Sequence, residues 1–215
     1  MRVTYKEISD GLGHIKHIKT KDVDCYNKRL IAARADVGSL RPHVMANPFV
    51  HRTYFQVSLA LLETSKEQLD FIEQNADLLR DWWHVDQLPQ FLKKPLDFSL
   101  VLERAKRYIN SDNLFLRRWG YVVFLAGLQK DSSHVQEILS LIKDDEAYYV
   151  QMAEAWLLCE LSVFHHEAVF RFIGESKIKY QILGKAIQKI QDSYRIGLAE
   201  KQAFKSLREK LKKNG

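Results

Sequence analysis

The chain has 215 residues, of which 46% are hydrophobic and 28% charged, with four prolines and nine glycines. That composition is globular and leaves little sequence for long loops. No run of about 18 apolar residues occurs, which excludes a membrane-spanning helix, and Lys6, Glu7 and Asp10 occupy the place of a secretory signal's apolar core, so a cytoplasmic chain is expected. The net charge of +6 is uneven: eleven basic residues and three acids lie from Lys177 to Gly215, giving that tail +8 against −2 for the first 176 residues.

Helical periodicity runs throughout, and no stretch alternates as a strand does. In the first 45 residues, Gly11-Leu12-Gly13 is expected to interrupt one helix and Val37-Gly38-Ser39 another. Asn47-Pro48 then opens a helix whose apolar stripe is Phe55, Leu59 and Leu62. Leu69, Ile72 and Ala76 form the next stripe, followed by Leu78 and Leu79. Further breaks fall at Lys94-Pro95, Asn110-Ser111-Asp112-Asn113, Asp131-Ser132-Ser133 and Lys143-Asp144-Asp145, several with a capping side chain just before a new apolar run. Val122, Leu125 and Ala126 make one more stripe. The natural count is about ten helices in five pairs. Cys25 and Cys159, far apart in helical surroundings, read as inert core residues.

A fixed register organises these helices. Phe49, Trp82, Phe115, Tyr148 and Gln181 follow one another at intervals of 33 residues. The stretch from Asn47 to Arg52 and the one from Asn113 to Arg118 also match in detail, as do Val57–Leu62 and Val123–Leu128. A period of this size marks a stack of helix pairs, because one pair cannot bury its apolar face alone. The expected fold is therefore all-α, a solenoid of antiparallel helix pairs forming one domain: capping helices over 1–45, repeats over 46–195 and a basic carboxy-terminal helix over 196–215. Such a stack offers an extended concave face to a large partner.

Several residues do not look like core. Trp82 and Asp86 are four apart and share one helical face. Arg117 and Arg118 follow Asn113 at a helix start, and Tyr148-Tyr149 leads into small residues before Trp156. Their bland reading is core packing for the indoles and an ion pair for Asp86. If neighbouring repeats stack in register, Trp82, Asp86, Arg118 and Trp156 are expected on one concave wall.

Three stretches carry a resemblance to the AlkD family of DNA alkylation repair glycosylases, built from HEAT-like repeats, over about Arg52 to Arg195. Trp82 to Asp86 resembles the family's Trp-x-x-Val-Asp motif. Asn113 to Arg118 resembles its Asn-x-Trp-x-x-Arg helix start, with Phe115 for the tryptophan. Tyr149 to Trp156 resembles its Phe-x-Gln-Lys-Ala-x-x-Trp motif, with Met152 for the lysine, and Lys185 to Ile190 gives a weaker echo. The resemblance implies Trp82, Asp86 and Trp156 as the catalytic set, and Arg118 as a DNA contact. Arg117, Lys185 and Lys189 are expected to join it on double-stranded DNA. A monomer without cofactor, metal or membrane partner is expected.

That set suits one reaction. Cleaving an N-glycosidic bond builds positive charge on the sugar. A purine alkylated at N3 or N7 is already cationic and needs no general acid. One carboxylate, Asp86, then suffices to stabilise the sugar cation and hold water, while two indole faces each add about 0.5–2 kcal/mol. The arginine fork suits two phosphate oxygens. The stretch before Trp82 is shorter, by roughly a helix pair, than in active relatives, and some relatives that lack an N-terminal helix show no glycosylase activity. A non-catalytic DNA-binding relative therefore stands beside the enzyme as the alternative. A protein–protein scaffold is disfavoured by the basic tail. His14 and His17, and His165 and His166, come without a carboxylate or cysteine at ligand spacing, so no zinc site is expected.

Overall fold

The computed structural model describes residues 2–13 and 17–214. It is all-helical, and its only bridge pairing is an isolated one between Arg2 and Asp36 among the described residues. The chain divides into two compact units, Met1–Pro95 and Leu96–Gly215.

The first unit holds α1 (Tyr5–Gly13), α2 (Thr20–Ala32), α3 (Pro48–Leu61), α4 (Ser65–Gln74) and α5 (Trp82–Asp86), with 3₁₀ segments at Gly38–Ala46, Ala76–Leu78 and Leu88–Phe91. Asn47 starts α3 by accepting from the Phe49 N–H at 2.8 Å, with Pro48 in the first helical position, where its missing N–H costs nothing. Thr64 and Glu67 close a capping box on α4. Around α3 the core is dense: Val50, Phe55, Val57 and Leu59 are buried, as are Leu69 and Ile72 of α4.

The second unit holds α6 (Phe98–Tyr108), α7 (Leu114–Val122), α8 (Val135–Leu139), α9 (Tyr148–Phe164), α10 (His166–Glu175), α11 (Tyr180–Asp192) and α12 (Leu198–Asn214). Asp97 caps α6, and Asn113 caps α7 by accepting from the N–H groups of Phe115 and Leu116 at 3.0 and 3.1 Å. Each such cap is worth about 1 kcal/mol. Helix α9 is its centre, packed against α7, α10 and α11, and it buries Val150, Ala153, Leu157, Leu158 and Leu161.

The register of 33 is a register of helix starts. Trp82 and Tyr148 are the first residues of their helices, and Phe49, Phe115 and Gln181 the second. Side-chain bonds also reach about one period along the chain: Arg41 to Asn75, Arg52 to Gln87, Lys143 to Asn110 and Lys185 to Gln151.

Four local expectations need correction. Helix α1 runs through Gly11 to Gly13, because Gly11 lies against the Tyr26 ring, 2.6 Å from where a Cβ would stand. Val123–Ala126 tightens into a 3₁₀ turn that ends at Gly127, whose φ of 118° only glycine adopts freely, so Leu125 and Ala126 are half-buried and not core. Ala76 falls beyond the end of α4, in the short 3₁₀ turn before Leu79. Cys25 is exposed: it sits two residues past Val23, turned away from the inward stripe of Val23, Asn27 and Leu30. Cys159 is buried, and burial lifts its thiol to about 11.

Candidate active site and nucleic-acid interface

Helix α5 is a single turn, and Asp81 begins it by accepting from the Trp82 N–H at 2.7 Å. Trp82 is the first residue of the turn and Asp86 the last. Both line an open cleft of about 360 Å³ in the first unit, with Phe49 and Arg52 of α3, Trp83 and Gln90. Trp82 is 48% exposed, a large apolar surface held in water where core packing would have hidden it. Trp83, half-buried at the cleft, packs edge-on to the rings of His51 and His84 at 5.1 and 4.0 Å.

Beneath the cleft lies a polar network. Arg52 is buried and forms a two-pronged pair with Asp24 at 2.7 and 2.9 Å. It also donates to Gln87 Oε1 at 3.0 Å, and its guanidinium lies 4.9 Å from the Phe91 ring centre. The His51 ring stacks on His84 with centres 3.9 Å apart. Burial pushes His51 down to about 3, with the neighbouring His84 adding to the effect, and burial pushes His84 down to about 4. Both rings are therefore neutral at physiological pH. The backbone N–H of Arg80 donates to His84 Nδ1 at 3.0 Å.

The other expected residues stand in the second unit. Arg118 is buried and donates to the Tyr149 carbonyl. Arg117 pairs with Asp145 at 3.0 Å and donates to the Ser111 carbonyl at 2.9 Å. Trp156 is half-buried, and its indole N–H donates to Glu160 at 3.3 Å; Glu160 also pairs with Arg195. Lys185 donates to Gln151 Oε1 at 2.9 Å and stands 5.9 Å from the centre of the exposed Tyr148 ring. Lys189 follows one turn later on α11, half-buried. In the basic tail, Lys179 pairs with Glu146, and Arg208 bonds Gln188 and the Tyr180 hydroxyl. His14 lies outside the described residues, and no three His, Cys, Asp or Glu side chains group as metal ligands among the described ones.

Sequence reasoning passed over Asp24, His51, Arg52, His84, Gln87 and Glu154. One signal was available: Arg52 and Arg118 are 66 residues apart, two periods, and are the matching last residues of the two similar helix starts. Both are buried, and both reach forward about one period, Arg52 to Gln87 just past the Trp82–Asp86 turn and Arg118 to the first turn of α9. Glu154 is wholly buried on α9 and accepts from the Lys143 N–H at 3.2 Å; burial raises its carboxyl to about 7.

A family model described as DNA alkylation repair enzyme matches residues 45–190, more than half of the chain. No curated protein and no solved structure matches it.

Proposed function

The chain belongs to the DNA alkylation repair enzyme family, and from that premise we propose that it is a DNA glycosylase that hydrolyses the N-glycosidic bond of cationic N3- or N7-alkylated purines in duplex DNA. The observation that carries this reading is the cleft shared by Asp86 and the exposed face of Trp82, within the family-matched stretch. A cationic base leaves without prior protonation, so the chemistry asks for one preorganised carboxylate and no second acid. Asp86 would face the developing sugar cation and hold the attacking water. The indole of Trp82 would add cation–π attraction to that charge, and Trp156 is the further indole proposed for the catalytic set.

Arg118, Arg117, Lys185 and Lys189 would contact phosphates. Arg118 is held by the Tyr149 carbonyl and Arg117 by Asp145, which limits the reach of both. The helix starts at intervals of 33 residues, and the side-chain bonds that span one period, support a HEAT-like repeat organisation.

The test is release of 7-methylguanine or 3-methyladenine from methylated duplex DNA by the full chain and by Asp86→Asn. Release by the first and not by the second supports the enzyme. Binding without release by the wild type decides for a DNA-binding relative that lacks the activity.

A further inference from the structure

Asp86 ends a helix of only five residues, so the backbone that carries it depends on tertiary contacts for its place. The next residue, Gln87, caps that turn; it is 7% exposed and gripped on both sides of its amide. Arg52 can only donate, and it reaches Gln87 Oε1 at 3.0 Å. With the oxygen fixed there, the amide nitrogen faces His51 Nδ1, also at 3.0 Å, which must accept. His51 then carries its proton on Nε2, toward the Leu78 carbonyl at 3.4 Å. At the other end Asp24 anchors Arg52 through both carboxylate oxygens. Each bond in this chain from Asp24 to Leu78 has one possible direction, so turning the Gln87 amide over would set donor against donor at Arg52.

We infer that Gln87 is a positioning residue for Asp86, clamping the end of the Trp82–Asp86 turn between Arg52 and His51 so that the carboxylate meets the cleft in one orientation. The inference rests on the reading of Asp86 as the group that stabilises the sugar cation. Electrostatic stabilisation of a transition state depends on charges placed beforehand, and supporting hydrogen bonds supply that placement. A displacement of about 1 Å is enough to cost up to about a hundredfold in rate.

The experiment compares the full wild-type chain with Gln87→Leu, which removes both bonds, and Gln87→Glu, which keeps an acceptor for Arg52 but offers no donor to His51 Nδ1. Three measurements are made on each: histidine ¹⁵N and Asp86 carboxyl ¹³C spectra, duplex affinity, and single-turnover release of 7-methylguanine. The expected result has His51 as the Nε2–H tautomer in the wild type, and shifted Asp86 and Trp82 resonances in Gln87→Leu. Release by that variant falls by about ten- to a hundredfold while DNA affinity changes by less than about twofold, and Gln87→Glu lies between. Asp86 and Trp82 resonances that match the wild type in a cooperatively folded Gln87→Leu would overturn the inference, as would an unchanged release rate. Should the wild type release no base, the glycosylase reading fails, and the Asp86 and Trp82 spectra still decide whether Gln87 positions the turn.

Discussion

Arg117 and Asp145 join the start of α7 to the segment before α9: Arg117 Nε donates to Asp145 Oδ2 at 3.0 Å, with the two side chains 22% and 11% exposed. Asp145 is itself held, accepting from the Ala147 N–H through Oδ1 and from Gln151 through its carbonyl, both at 2.7 Å. Such a pair is far from the surface regime in which ion pairs contribute little.

Arg117→Ala therefore strands a largely buried carboxylate, and a loss of about 2 kcal/mol is expected. For a chain of this size that lowers the melting temperature by roughly 4–8 °C. Asp145→Asn should destabilise to a similar degree yet leave DNA affinity intact, whereas Arg117→Ala weakens both if the arginine also meets a phosphate. Thermal melts paired with duplex titrations separate the two effects.

Acid should unfold the first unit early. His51 and His84 hold folded values of about 3 and about 4, below the usual histidine value of 6.5. The unfolded chain thus binds more protons between those limits, and stability falls as pH drops from about 6.5 toward 4. Glu154, raised to about 7 from 4.5, acts with the opposite sign: its contribution is full below 4.5 and is lost as pH rises through 7. Denaturant titrations across pH 4–8 should show net loss toward acid, since two histidines oppose one glutamate. Glu154→Gln should gain stability above pH 7 and steepen the acid limb, and a limb no steeper than that of the wild type would count against a buried acid there.

The helix starts were legible in the sequence because capping and period are local facts: Asn47 and Asn113 cap as their positions require, and the 33-residue register lands on the first turn of five helices. The shared face of Trp82 and Asp86 followed from their spacing alone, and both line one cleft. The network beneath that cleft was not legible. Arg52 lies 28 residues from Asp24 and 35 from Gln87, and the three meet only through tertiary packing. Likewise Gly11 looked like a helix breaker because the sequence does not show the Tyr26 ring lying against it. Cys25 was misjudged since a weakly polar residue gives no sign of which side of its helix it occupies.

DNA affinity should depend on salt and on Lys185. Its ammonium is shared among Gln151, the Gln181 carbonyl and the Tyr148 ring, with no carboxylate paired to it among the described residues. If Lys185 and Lys189 meet phosphates, each substitution by alanine should reduce the log–log salt slope by about 0.9 and weaken binding to all duplex sequences alike. Fluorescence anisotropy at several salt concentrations measures this. An unchanged slope in the double variant removes both lysines from the interface.

Asp86→Asn gives the sharpest test of mechanism. The substitution keeps the shape of the side chain and its place at the end of the Trp82–Asp86 turn, while it removes the charge and turns one acceptor oxygen into a donor. If the carboxylate acts on the cationic sugar, its contribution grows along the reaction, so release of 7-methylguanine should slow by about 10²–10³-fold while duplex affinity stays close to wild type. Trp82→Ala and Trp156→Ala should each slow it less, in keeping with cation–π terms of about 0.5–2 kcal/mol. Neutral lesions that must be protonated before they leave should be poor substrates, because the proposed catalytic set holds one carboxylate and no acid to supply that proton. Equal loss of affinity and rate in Asp86→Asn would instead make the carboxylate a binding group, and the proposed chemistry would lose its centre.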